Sequence, residues 1–242
     1  MTKEFHQRAA HDYPPAALWG PSPREVWWWA IPPAVAVIAL VTYALAPDYY
    51  ISHFLPEHSG YLERSHFLLP AIGVLICLRI LRMEQTRRIA YLRGAVIAFA
   101  VACFYIAGEE ESWGQHFFQW STPEAWSNIN RQDETNLHNT SYYFNQGPQL
   151  VLELAIVLGG IVAPFVVQAR GPIGGDLIAI LTPPIALLPV SLCAVVFKVI
   201  DRLQKNDLVP DLVARPSEVT ETFYYMFIFF YLVVLYRRVQ RL

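Results

Sequence analysis

The run Gly108-Glu109-Glu110-Glu111-Ser112-Trp113-Gly114-Gln115-His116 follows directly on an apolar stretch long enough to be a membrane helix. It holds three carboxylates where lipid gives way to water, a depth at which each acid needs water, a donor, a cation or a proton. Near a helix C-terminus such a run also opposes the helix dipole, so it gains nothing structural from its position. Glu109, Glu110 and His116 are therefore candidate catalytic residues, joined by Glu134 and His138 from the segment Glu134-Thr135-Asn136-Leu137-His138-Asn139. Gln115, Asn136 and Asn139 are the polar groups expected to support them. On a continued helix, residues three, four and seven apart return to one side, which would align Glu109, Ser112 or Trp113, and His116.

Two kinds of chemistry suit these residue types. His116, His138 and Glu110 could give a divalent ion two nitrogens and an oxygen, leaving a position open for water or substrate. Without a metal, one glutamate could keep its proton beside a neighbouring carboxylate and act as an acid while its partner works as a base. Ser112 is available as a nucleophile, but a lone serine beside Glu and His does not make a triad. Glu153, at the start of a later apolar block, and Glu218 and Glu221, one turn apart at the start of the last, lie at a matching depth and extend the expected polar network.

The elements that must carry these residues are membrane helices. Hydrophobic residues make up 55% of the 242 and charged residues 16%, against about 25% charged in soluble domains. Apolar blocks at residues 26–46, 64–83, 90–108, 148–168, 177–200 and 218–236 each approach the ~20 residues that span a hydrocarbon core. The expected fold is one all-α polytopic domain over residues 1–242 with about six transmembrane helices. Residues 112–147 should form an ordered, partly helical loop, because a structureless connection of that length is uncommon in a compact domain. Within it, Ser121-Thr122-Pro123-Glu124 reads as a capped helix start. The net charge of −2 and the lack of a basic stripe exclude nucleic acid as a partner.

Basic residues orient the bundle. With the N-terminus inside, Lys3, Arg8, Arg24, Arg79, Arg82, Arg87, Arg88, Arg93, Arg170, Arg237, Arg238 and Arg241 fall on the cytoplasmic side, 12 of the 18 Lys and Arg. Both termini are then cytoplasmic and the acidic run faces the other side, where membrane lipid is its neighbour. Residues 1–25 lack the early apolar core of a signal peptide. Trp27-Trp28-Trp29 reads as an aromatic anchor or as a ridge for a partner membrane subunit. Thr182-Pro183-Pro184 and Pro189 should break the fifth block, a feature of packing joints and of transporter sites alike. Cys77, Cys103 and Cys193 lie in apolar blocks without disulfide spacing.

Glu109-Glu110, then Ser112-Trp113-Gly114-Gln115, Ser121-Thr122-Pro123-Glu124 and Glu134-Thr135-Asn136-Leu137-His138-Asn139, resemble the signature of an uncharacterised family of bacterial multi-pass membrane proteins. The resemblance covers residues 108–139 and implies a multi-pass protein of the bacterial inner membrane, with no activity attached. Glu111 departs from the pattern, which is apolar there, and is expected to face solvent or pair with a base. The readings that follow are an enzyme acting on a lipid or lipid-linked substrate at the non-cytoplasmic interface, a non-enzymatic subunit or assembly factor, and a small-molecule or ion transporter.

Overall fold

The computed structural model describes residues 26–170 and 176–242, all of them helix, turn or loop. In chain order the α-helices are α1 (Val26–Leu45), α2 (Pro47–His53), α3 (Tyr61–Arg82), α4 (Glu84–Arg88), α5 (Ala90–Glu110), α6 (Gln115–Phe118) and α7 (Glu124–Ser127). They continue with α8 (Tyr142–Ala155), α9 (Ala163–Arg170), α10 (Asp176–Leu181), α11 (Leu188–Lys205) and α12 (Pro216–Val239). Among the described residues, six spans are long and apolar enough to cross a membrane: Trp27–Leu45, Tyr61–Arg82, Ala90–Glu110, Tyr142–Arg170, Ile178–Lys205 and Pro216–Val239. The protein is an all-α polytopic bundle, as its apolar blocks require. The expectation of a signal-free N-terminal tail, and of the side on which that tail lies, concerns residues 1–25, outside the described residues.

The helix α12 is the core of the bundle. Its apolar window is 72% buried, against 17% to 50% for the other five crossings, and it packs on α3, α11 and α1 while α5 packs on α3. The other helices leave Val37, Leu75, Val101 and Leu158 exposed, as lipid-facing surfaces should be. The fourth crossing meets α11 through a π-helical turn, Ile156–Val162, where Gly160 allows close approach. A Cβ on Gly160 would sit 2.1 Å from Ser191 Oγ and 2.8 Å from the Phe227 ring.

The fifth crossing is broken where the prolines stand. After α10 the chain runs through Thr182-Pro183-Pro184 and a short 3-10 turn, Ile185–Leu187, before α11 begins. The break frees carbonyls that must find donors away from water. They find them on α12: Arg238 Nη1 donates to Ile180 O at 2.8 Å and Thr182 O at 2.6 Å, and the Tyr231 hydroxyl donates to Leu181 O at 2.7 Å. A buried cation at a helix C-terminus also answers the dipole.

The tryptophan triplet does not form a single ridge. Neighbouring helical residues point about 100° apart, so Trp28 turns inward, stacking on Phe230 at 5.1 Å with the Arg237 guanidinium 5.0 Å above its ring. Trp27 and Trp29 remain exposed. The aromatic surface is therefore two residues wide here, with further exposed rings at Trp113, Phe117, Phe118 and Trp120.

Candidate functional site at one membrane face

The starts of α3, α8 and α12 and the end of α5 gather at one face, joined by His66 to Glu110, His66 to Thr222 and Gln149 to Glu221. The acidic run lies there, but not as one helical face. The helix α5 ends at Glu110, and Ser112, Trp113 and Gly114 all take positive φ, at 44°, 57° and 97°. Only glycine adopts this region freely, and each of the other two residues costs about 1–2 kcal/mol there. The reversal is held by Gly114 N–H donating to Glu111 O at 2.8 Å and by the Trp113 ring folded over Gly108, where a Cβ would come within 2.7 Å of it. The expected alignment of Glu109, Ser112 and His116 on a continued helix is thus corrected: a left-handed turn separates them, and α6 restarts on a new axis.

The second motif segment lies against this turn. Glu109 Oε2 accepts the backbone N–H groups of Leu137 at 2.7 Å and His138 at 2.8 Å, while its Oε1 accepts Trp113 Nε1–H at 2.8 Å. Gln115 Oε1 accepts the Thr135 N–H at 2.8 Å and hydroxyl at 2.9 Å. Asn130 Nδ2 donates to Asn136 O and Oδ1, at 2.9 and 2.8 Å, and Asn139 donates to Glu134 Oε2 at 3.2 Å. Thr122 does not cap α7, which begins behind Pro123 without a side-chain cap. Its hydroxyl instead accepts from Gln115 Nε2 and donates to Asp133 O, a better use for a hydroxyl inside a polar network. Glu111 is buried rather than solvent-facing, and burial pushes its carboxyl above the usual range, with His58 working against the rise.

Histidine and glutamate side chains form clusters here able to hold a divalent ion. In the first, His58 Nε2 and His116 Nε2 approach the same oxygen, Glu134 Oε1, at 3.3 and 3.4 Å, with the two imidazoles stacked at 3.3 Å. Glu134 Oε2 accepts from Ser112 Oγ at 3.0 Å and Asn136 Nδ2 at 2.5 Å, which fixes the carboxylate. Ser112 Oγ also lies 3.0 Å from His116 Nε2. Burial, then the charge of His58, holds His116 below the ordinary histidine range, against the opposing pull of Glu134. Its neutral, lone-pair form is therefore favoured at neutral pH.

The second group is deeper. Ligand atoms of Glu63, His66 and Glu110 lie within 4.8 Å of one another, as do those of His66, Glu218 and Glu221. The Tyr225 hydroxyl donates to Glu110 Oε1 at 2.7 Å, Arg215 Nη2 to Glu218 Oε1 at 2.7 Å, and Gln149 Nε2 to Glu221 Oε1 at 2.9 Å. Glu218 and Glu221 also line a polar cleft of about 400 Å³ with Gln149, Lys198 and Tyr224.

The proposed trio of His116, His138 and Glu110 is distributed over different partners. His116 stands with His58 and Glu134, Glu110 with Glu63 and His66, and His138 Nδ1 lies 3.4 Å from Glu109 Oε2. Burial disfavours charge on His138, but Glu109, Glu110 and Glu134 outweigh it and raise its pKa. Glu153 is held by Lys198 Nζ at 2.5 Å and the Tyr224 hydroxyl at 2.9 Å. Glu63 and Tyr225 are the participants that the sequence does not select, and His58 and His66 are open to selection by their side of the bundle but not by local pattern. The signal available was topological, since His58 and His66 fall on the same side of the bundle as the acidic run. No protein-family model matches the chain, and comparison with curated proteins and with solved structures also finds no match.

Proposed function

We propose that this protein is a membrane-embedded enzyme in which His58, His116 and Glu134 hold a divalent cation for hydrolysis or group transfer on a lipid or lipid-linked substrate. The observation that carries the reading is the convergence of two imidazole nitrogens on one Glu134 oxygen beside Ser112. Three protein ligands leave a fourth position for water or substrate. The ion would lower the pKa of a bound water to about 7 and polarise an ester carbonyl or phosphoryl group. Glu111, adjacent to Ser112 and biased by burial toward its protonated form, suits the general acid that gives its own proton to the leaving alcohol, while the water would lose its proton on binding the ion. His58 and His116 are partly exposed, and Phe117, Phe118 and Trp120 beside them suit the headgroup level. The positive-inside balance favours the non-cytoplasmic side for this face, and the motif resemblance favours a bacterial inner membrane.

Purified protein is expected to carry about one equivalent of Zn²⁺ at this site, lost in Glu134→Gln and in His116→Ala while helical content is kept. Hydrolysis of a phospholipid or lipid-linked ester, followed by mass spectrometry, should fall by at least about 100-fold in both variants, the scale of losing a metal-site interaction. Because the imidazoles must be neutral to bind, the metal should be held at neutral pH and released on acidification. A second reading, a non-enzymatic subunit, is favoured by Glu109, whose oxygens are occupied by backbone and indole donors. It requires that the parent bind no metal and that these substitutions change stability alone.

A further inference from the structure

We infer that the deeper group, built from Glu63, His66 and Glu110 with Glu218 and Glu221 beside them, is a second divalent-cation site, separate from the one at His58, His116 and Glu134. The decisive side chain is His66, which is 1% exposed. Its Nε2 lies 3.1 Å from the backbone oxygen of Glu218 and 2.9 Å from Thr222 Oγ1. A carbonyl only accepts, so Nε2 carries the hydrogen and Nδ1 presents its lone pair. That Nδ1 is buried with no hydrogen-bond partner and faces Glu110 Oε2 at 3.7 Å. A lone pair aimed at a carboxylate oxygen repels it unless something positive lies between. An N–H given to a backbone carbonyl is also the usual support of a metal-bound imidazole, fixing its tautomer and orientation.

The charge count points the same way. Four carboxylates meet here, and Glu63 lies against Glu218. Among the described residues one guanidinium, that of Arg215, pairs with them directly, while Lys198 pairs with Glu153. Carboxylates this close at a membrane edge cannot all stay ionised without a cation. The ligand atoms of Glu63, His66 and Glu110 lie within 4.8 Å of one another, near the spacing of ligands around a single ion. One imidazole among several carboxylates suits a first-row divalent ion such as Zn²⁺ or Mn²⁺.

The test uses the full chain in lipid nanodiscs at neutral pH, carrying Glu134→Gln so that the outer cluster is disabled. Titration with Zn²⁺, and separately with Mn²⁺ followed by the loss of its free-ion paramagnetic signal, is expected to find about one equivalent of at least one ion bound. Adding His66→Gln or Glu110→Gln should weaken that binding by more than about 100-fold, beyond what supporting residues contribute. The ion should raise the melting temperature of the Glu134→Gln protein and leave that of the double variant unmoved. If the double variants fail to fold, Glu63→Gln and Glu221→Gln carry the same comparison. Failure of the Glu134→Gln protein to bind either ion would overturn the inference, because the cluster would then be neutralised by protons; unchanged affinity in the folded double variants would overturn it too. A parent that binds one equivalent and loses it wholly with Glu134→Gln keeps only the outer site. One equivalent that survives Glu134→Gln and is lost with His66→Gln keeps only the inner one.

Discussion

Glu109 and Glu110 are neighbours in the chain with opposite surroundings. Glu109 is saturated by two backbone N–H groups and an indole N–H, whereas Glu110 has one phenol donor, the more distant charge of His138, and otherwise acids and the bare nitrogen of His66. The first therefore ties the 134–139 segment to α5, and the second is free to serve a ligand. Replacing Glu109 by Gln keeps one accepting oxygen but sets an NH2 group against the donor or donors at the other position and removes the charge. The loss is expected to be about 1.5–3 kcal/mol, the scale of hydrogen bonds to a charged group. His138 gives this substitution a pH signature. Its folded pKa is raised, so its contribution to stability is complete below the unfolded histidine value of 6.5 and is lost as pH rises through the folded value. Thermal unfolding across that range should show stability falling with rising pH in the parent and a weaker slope in Glu109→Gln.

Among the elements, the six crossings were legible because each is a long apolar block, and the break at Thr182-Pro183-Pro184 because proline removes donors. What local pattern could not convey is which distant groups answer the break, or that Ser112 and Trp113 bend backward, since neither residue prefers positive φ. The same limit hid Trp28, which reads like its neighbours and differs only in facing Phe230. His58 and His66 reach the site by topology, from a loop and a helix start that periodicity does not connect to Glu134 or Glu110. At the broken crossing, Arg238→Met would strip the donors from Ile180 O and Thr182 O and leave two buried carbonyls unpaired. Each costs about 1–3 kcal/mol. The melting temperature in detergent should therefore drop well below that of a lipid-facing control such as Val101→Ala. Arg238→Lys should recover only part of it, because an ammonium lacks the planar fork.

Taken as a whole, the molecule places its candidate chemistry at one end and the Arg238 joint toward the other, with α12 running between them. The charge balance predicts which side of the membrane each end occupies, and a direct measurement decides it. Single cysteines at Asn128, in the loop beside the site, and at Glu84, on the short helix between the second and third crossings, should label from opposite sides of sealed vesicles. Labelling from the same side would remove the six-crossing arrangement.

The burial of α12 has a consequence for how the chain is made. Five crossings emerge from the ribosome before the helix that all but fills their centre, and Tyr225, Tyr231 and Arg238 arrive only with it. Until then the broken crossing lacks its donors and Glu110 its phenol, whereas the cluster of His58, His116 and Glu134 draws on no residue of α12. The deeper group and the broken crossing, at opposite ends of α12, are therefore expected to be completed together in one late step, when the sixth helix enters among the others.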